Sequence, residues 1–107
     1  MDKEKVLMGI GGNMNRFSII QNKKECYVCG QNYGLHIHEI FFGTANRKKS
    51  IEYGLCVYLC PKHHNMSNDG VHFNKELDNK IKQIGQLAFE QKYTELDFLK
   101  IFGRNYK

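Results

Sequence analysis

The sequence predicts a small α+β domain that is built around a metal ion and ends in helices. The chain has 107 residues, which is enough for one domain, but a domain of this size buries too little surface to be comfortably stable by packing alone. Two pairs of metal-ligand residues, at 26 and 29 and at 60 and 63, could supply the missing stability. Short strand-like runs lie between these pairs, and a helical period of apolar residues follows them.

The charge balance favours a polyanionic partner. Lys and Arg number 16 against 11 Asp and Glu, so the formal net charge is +5. Nucleic acid is the usual partner for such a charge. No apolar run approaches the roughly 20 residues that span a bilayer, so we expect no membrane partner.

The chain is expected to divide into an arm and one domain. Residues 1–16 carry several Gly and Asn residues without a clear period, which predicts a flexible N-terminal arm before a single zinc-stabilised domain at 17–107. The apolar run at 6–10 is too brief for a signal peptide. We therefore expect a cytoplasmic protein, and in that reducing compartment four cysteines indicate metal binding more than disulfides.

Two strands are expected in the first half of the domain. Runs rich in β-branched and aromatic residues predict strands over 35–42 and 55–59. Between them, a basic loop over 43–49 leads into a short turn that begins at Ser50 and ends at Gly54.

Helices are expected after the second strand. Pro61 favours a helix start, because proline suits the first helical position. Asn74 can cap the next helix, and Thr94 followed by Asp97 resembles a capping box for a last short helix that ends at Gly103. The longer helix carries a stripe of apolar residues at helical spacing, which we assign to the core: Leu77, Ile81, Ile84 and Ala88.

The strongest motif is a set of four metal ligands. Cys26 and Cys29 form a C-x2-C pair, and Gly30 allows the tight turn that lets both sulfurs face one point. Cys60 and His63 stand three positions apart at a helix start, so they lie on one face and can reach the same ion. Three thiolates and one imidazole form a closed tetrahedral set, which is typical of structural zinc.

The competing interpretation is that the cysteines are ordinary buried residues and His63 is unrelated to them. Two paired motifs at a turn and a helix start favour the metal site over that interpretation. Cys56 lies outside both motifs, and we expect it to be a small core residue on the second strand.

Four further histidines are not needed by the zinc. His36 and His38 are two apart on the first predicted strand and therefore share a face. His64 points away from its neighbour His63 because successive residues of a helix are turned by about 100°. His72 follows just beyond that helix. A strand pair packed on a helix would bring His38 toward His64.

At this point the sequence resembles the HNH endonucleases, whose fold is the treble-clef-like ββα-metal finger, and more narrowly the small HNH proteins of bacteriophages and prophages. The resemblance covers about half of the chain, from Cys26 to Asn74. The segments that carry it are CYVCG at 26–30, LHIHEIFFG at 35–43, NRKKS at 46–50, GLCVYLCPKHHN at 54–65 and GVHFN at 70–74. The Gly85-Gln86 helix and the FGRNY ending are also similar to that group.

The resemblance implies a metal-dependent HNH endonuclease that hydrolyses phosphodiester bonds of DNA. The implied catalytic residues are His38, Glu39 and His64, with His38 as general base or ligand and Glu39 assisting. The implied ligands of a catalytic Mg²⁺ or Mn²⁺ ion are His38, His64 and His72. If a phage or prophage encodes the chain, its location is the cytoplasm of a bacterial host cell.

The sequence departs from the family pattern in two places. The family usually shows a ligand followed by a histidine base, whereas Glu39 follows His38 here. The middle Asn of the motif has no clear match, because residues 53–54 are Tyr and Gly, and Asn46 and Asn65 are the nearest candidates.

Arg47, Lys48 and Lys49 are expected to contact DNA phosphates from the predicted loop, without reading the base sequence. A homodimer would be the simplest way to cut both strands, since each chain has one site. The alternative function is a non-catalytic zinc finger that binds nucleic acid or protein and has lost the HNH activity. The spare histidines favour the nuclease, and Glu39 together with the unmatched Asn favours the binding module.

Overall fold

The computed structural model describes residues 6–10 and 13–107, with side chains from Arg16 onward. Residues 1–5 and 11–12 of the predicted arm lie outside the described residues. Within the described ranges the fold is α+β, as predicted. The elements are β1 (Val6–Ile10), β2 (Asn13–Ser18), β3 (His36–Glu39), α1 (Asn46–Tyr53), β4 (Cys56–Leu59), α2 (Pro61–His64), α3 (Lys75–Lys92) and α4 (Phe98–Phe102).

The N-terminal segment contains two paired strands, where the sequence led us to expect an arm without regular structure. β1 and β2 pair antiparallel, with Leu7 opposite Phe17 and an irregularity after Met8. The chain beyond β2 is tied to the rest of the fold, because the Ile19 N–H donates to the Gly54 carbonyl at 2.9 Å. This short pairing has no clean alternation of polar and apolar residues, which explains why the sequence pattern did not predict it.

β3 and β4 form an antiparallel pair at the centre of the molecule. Both strands are confirmed, although each is shorter than predicted. His38 lies opposite Val57, and His36 lies opposite Leu59. All four residues of β4 are buried, so this strand forms the middle of the core.

The segment between β3 and β4 contains the helix α1, so the prediction of a basic loop over 43–49 was wrong from Asn46 onward. The predicted turn does not begin at Ser50, which lies inside this helix, but its end at Gly54 is confirmed. Arg, Lys and Ile are reasonable helix formers, and Gly54 ends α1 in the left-handed conformation with φ of 75°. Ser50 fixes the helix to the end of β3. Its buried hydroxyl donates to the Phe41 carbonyl at 2.8 Å and accepts from the Phe41 N–H at 3.0 Å.

α3 covers the core, as its periodicity predicted. Its side-chain cap is also confirmed, since the Asn74 side chain accepts from the Leu77 N–H at 3.0 Å. Of the predicted core stripe only Ile81 is fully buried, and the other three residues are half-buried. The fully buried positions of α3 are Ile81, Gly85, Gln86 and Phe89. Gly85 is needed for close packing, because a Cβ there would lie 3.1 Å from the Phe41 ring.

α4 closes the aromatic part of the core and ends at Gly103, as predicted. The predicted capping box was wrong, because the N-cap is Asp97 itself, whose carboxylate accepts from the Lys100 N–H at 3.3 Å. No helix in the described ranges is long and apolar enough to cross a bilayer.

Candidate metal centres

The C-x2-C segment forms a tight turn that points both thiols at one place. The Cys26 N–H donates to the Gln31 carbonyl at 2.7 Å, and the Gly30 N–H donates to the Cys26 carbonyl at 2.9 Å. Gly30 has φ of +83°, a conformation that other residues rarely adopt. The turn therefore depends on the glycine that the sequence places directly after Cys29.

Cys60 and His63 complete a set of four ligand atoms, as the sequence predicted. Cys60 precedes α2 in an extended conformation, and His63 lies one turn later. Cys29 Sγ is 3.8 Å from Cys60 Sγ, while His63 Nδ1 is 3.4 Å from Cys60 Sγ and 3.8 Å from Cys26 Sγ. A tetrahedral zinc ion has S–S and S–N separations of about 3.8 Å and 3.6 Å. The four residues, which we call the thiolate cluster, could hold one metal ion.

The environment of the thiolate cluster favours ionised sulfur at Cys26. Burial raises the pKa of the Cys26 thiol, but hydrogen bonds from the backbone at Cys60, Cys29 and Val28 outweigh it and lower the pKa to about 6. Thiolate is the form of cysteine that binds metal ions.

Cys56 lies outside the cluster, as expected. It is fully buried on β4, and burial raises the pKa of its thiol to about 12, with a smaller contribution from Glu39. The Cys56 thiol is therefore neutral at physiological pH and serves as a core side chain.

A second group of ligand atoms is formed by His38, His64 and His72, which we call the histidine cluster. Their ligand atoms all lie within 4.8 Å of one another. His64 Nε2 and His72 Nε2 are 3.2 Å apart, and the His38 ring centroid lies 5.3 Å from each of the other two. Two nitrogens bound to one ion at about 2.1 Å are separated by about 3.0 Å in octahedral and 3.4 Å in tetrahedral geometry. The prediction that the strand pair and the helix bring His38 toward His64 is confirmed.

Three different elements position these histidines. β3 supplies His38, α2 supplies His64, and the segment after α2 supplies His72. The last is fixed by backbone hydrogen bonds, since the His72 N–H donates to the His64 carbonyl at 3.1 Å. Gly70 permits this return, because a Cβ there would lie only 2.7 Å from the same carbonyl oxygen.

The buried member of the histidine cluster has an unpaired ring nitrogen. His38 is 2% exposed, and its Nε2 atom has no hydrogen-bond partner among the residues that the structure describes. An unpaired buried polar atom is costly unless a ligand satisfies it. Burial, assisted by the nearby His64, His72 and Lys82, lowers the pKa of His38 to about 3. Burial and the nearby His72 and His36 lower the pKa of His64 to about 4, against a smaller opposing effect of Glu39. Both rings are therefore neutral at pH 7.

Phe42 and Lys82 lie beside the histidine cluster, although neither was predicted to belong to the site. The Phe42 ring centroid is 5.0 Å from that of His72. Lys82 Nζ lies 4.2 Å above the Phe42 ring and pairs with Asp78 at 2.9 Å. Asp78 and Lys82 stand four positions apart on α3, and both side chains are largely buried.

Glu39 lies apart from the histidine cluster. Side chains alternate along β3, so Glu39 and His38 point to opposite faces. The Glu39 carboxylate pairs with Arg16 Nε at 3.0 Å and with Arg47 Nε at 3.4 Å, and its side chain is 14% exposed. The structure brings Glu39 to two arginines and not into the group of ligand atoms, so its assistance to His38 stays a prediction without a contact to support it.

The three predicted DNA-binding residues lie on α1 in different environments. Arg47 pairs with Glu39 but is more than half exposed. The Lys49 ammonium donates to the Ile101 carbonyl at the end of α4. Lys48 is exposed and lines a surface depression together with Thr44.

The two candidates for the motif's middle Asn occupy helix ends. Asn46 begins α1, where its amide donates to the Phe102 carbonyl at 3.4 Å. Asn65 ends α2 and is exposed. Neither of them is among the residues whose ligand atoms form the two clusters.

Comparisons with family models, with curated proteins and with solved structures found no match to this chain.

Proposed function

We propose that this chain is a metal-dependent DNA endonuclease of the HNH type with a separate structural zinc ion. The observation that carries the proposal is the histidine cluster beside the thiolate cluster. In the described part of the chain, no fourth Cys, His, Asp or Glu joins the three histidines. A three-ligand site leaves positions open for a substrate, which is typical of catalytic metal sites.

The thiolate cluster fits the structural role. Its four donors would saturate a tetrahedral zinc ion, which leaves no position for substrate. Zinc bound there would supply folding free energy to a small domain. It would also fix α2, which carries His63 for one cluster and His64 for the other.

The donors of the histidine cluster fit a divalent transition ion better than magnesium. Imidazole suits zinc, nickel, iron and copper, whereas magnesium and manganese prefer oxygen ligands. We therefore favour zinc, nickel, iron or copper over the Mg²⁺ or Mn²⁺ that the resemblance implies, and of these two Mg²⁺ is the poorer fit. When bound, such an ion would stabilise negative charge on a phosphodiester oxygen.

Within this proposal His38 acts as a ligand. A general base works best with a pKa near the operating pH, and the pKa of His38 is about 3. A neutral buried imidazole with an unpaired Nε2 atom is, by contrast, ready to bind an ion.

The test is cleavage of supercoiled plasmid by the zinc-loaded protein with EDTA, Mg²⁺, Mn²⁺ or Ni²⁺. We expect ion-dependent cutting that falls by at least about 100-fold in His38→Ala and His64→Ala. Zinc content should stay at one ion per chain in both variants. Gln83→Ala, an exposed change on α3, is the control and should cut like the wild type. No cutting with any ion, or normal cutting by His64→Ala, would contradict the proposal.

The second candidate is a non-catalytic DNA-binding module. The observation that favours it is Glu39, which stands where the family carries its histidine base but is held by Arg16 and Arg47. Glu39→His restores the adjacent histidine pair. DNA binding without cleavage in both the wild type and Glu39→His would favour the binding module.

A further inference from the structure

His36 lies beside the histidine cluster without being one of its three members. It shares a face of β3 with His38, because side chains alternate along a strand. Its Nδ1 atom is 2.9 Å from Nδ1 of His64, and the two rings meet edge to face with centroids 5.0 Å apart. This contact joins β3 to α2 at the ring of a proposed metal ligand.

The two nitrogens of His64 face different neighbours. Nδ1 faces His36, and Nε2 lies 3.2 Å from Nε2 of His72. A neutral imidazole carries one N–H and one lone pair. His64 can therefore offer its lone pair to only one of these two sides.

Two proton arrangements satisfy the contact between His36 and His64. If Nδ1 of His36 donates, His64 carries its own proton on Nε2, and that nitrogen cannot bind an ion. If Nδ1 of His64 donates, the lone pair of Nε2 is free on the side of His72. Only the second arrangement lets His64 act as a ligand from the histidine cluster.

We propose that His36 is a positioning residue that accepts the Nδ1–H of His64 and so keeps Nε2 of His64 free for the ion. The inference rests on the proposed function, because it takes His64 as a ligand. Ligand histidines usually donate their second N–H to a fixed acceptor, and loss of that acceptor typically lowers metal affinity 10–100-fold. Here the acceptor is another ring, held on the same strand as the ligand His38.

The direct test is the position of the proton on His64. Long-range ¹H–¹⁵N correlation spectra of the zinc-loaded protein at neutral pH, without a second ion, report which ring nitrogen is protonated. We expect the proton on Nδ1 of His64. A proton on Nε2 in the wild type would overturn the inference, however the variants behave.

A matched pair of variants tests the acceptor itself. His36→Phe keeps a ring but removes the acceptor, whereas His36→Asn keeps an oxygen close to the place of Nδ1. We expect the Ni²⁺ affinity, measured by calorimetry with zinc content checked, to fall about 10–100-fold in His36→Phe and to stay within a few-fold in His36→Asn. Wild-type affinity in His36→Phe would overturn the inference, and so would equal weakening in the two variants.

His64→Ala separates the two proposals. Unchanged Ni²⁺ binding in His64→Ala would overturn the histidine cluster as a metal site, and with it the proposed function. Loss of Ni²⁺ binding in His64→Ala together with normal binding in His36→Phe would overturn only the role of His36.

Discussion

The thiolate cluster and the histidine cluster are neighbours on α2 but differ in composition and in the number of their ligands. The first has four ligands, which run from Cys26 and Cys60, each 1% exposed, to the exposed Cys29. The second has three, and these run from buried His38 to exposed His72. A closed set of ligands suits stability, and an open set suits chemistry. Because adjacent residues of one helical turn serve the two clusters, the closed one would set the geometry of the open one.

The largest expected effect comes from breaking the thiolate cluster. Cys29→Ala should lose the ion and unfold, because binding energy of about 10 kcal/mol or more is comparable to the whole stability of a small domain. Elemental analysis and thermal melting measure both consequences. Cys56→Ala is the matched control, since Cys56 is buried outside the cluster. It should keep its zinc and lose much less stability.

A Cys29→Ala variant that melts like the wild type would show that the thiolate cluster does not support the fold. In that case the thiolate cluster would lose its assigned role as the stabilising site of the two.

The two clusters also differ in how far the sequence could predict them. The thiolate cluster uses two local motifs whose spacing alone brings the ligands together, so all four residues could be named in advance. For the histidine cluster, the expected packing of a strand pair on a helix predicted only that His38 approaches His64, and the resemblance to the HNH family added His72. The contacts of Glu39 could not be predicted, because its partners Arg16 and Arg47 come from different elements.

The same distinction holds for the fold. Asn74 and Gly103 are local end signals, and both were confirmed. α1 was missed because a run of basic residues has no apolar stripe, and its anchors are polar contacts with distant residues, such as that of the buried Ser50 hydroxyl with Phe41. The local end signals could therefore be predicted, whereas an element fixed by distant polar contacts could not.

A medium effect is expected from pH, through the buried member of the histidine cluster. The pKa of His38 is about 3 in the folded protein against 6.5 for an unperturbed histidine. Between these values the unfolded chain takes up a proton that the folded protein does not, so stability falls as the pH drops below 6.5. At pH 5 this amounts to about 2 kcal/mol.

Denaturant unfolding of zinc-loaded wild type and His38→Gln at pH 7 and pH 5, without a second ion, measures this effect. Protonation of the zinc ligands should weaken both proteins alike. The wild type should lose about 2 kcal/mol more than His38→Gln. Equal losses would mean that His38 is not held neutral by its surroundings, and the buried end of the histidine cluster would need another explanation.

The smallest effects are expected on α1, where we assign one lysine to stability and its neighbour to DNA binding. Lys49 donates to a carbonyl at the C-terminal end of α4, so Lys49→Met should cost about 0.5–1 kcal/mol of stability.

Lys48 is exposed, so Lys48→Met should leave stability unchanged. It should weaken binding to all DNA sequences equally and lower the salt-dependence slope by about one unit if it contacts a phosphate. Because both variants remove the same charge, a general field effect would change DNA binding alike in the two. A larger loss of salt dependence in Lys49→Met than in Lys48→Met would show that the exposed lysine of α1 is not the one that meets DNA.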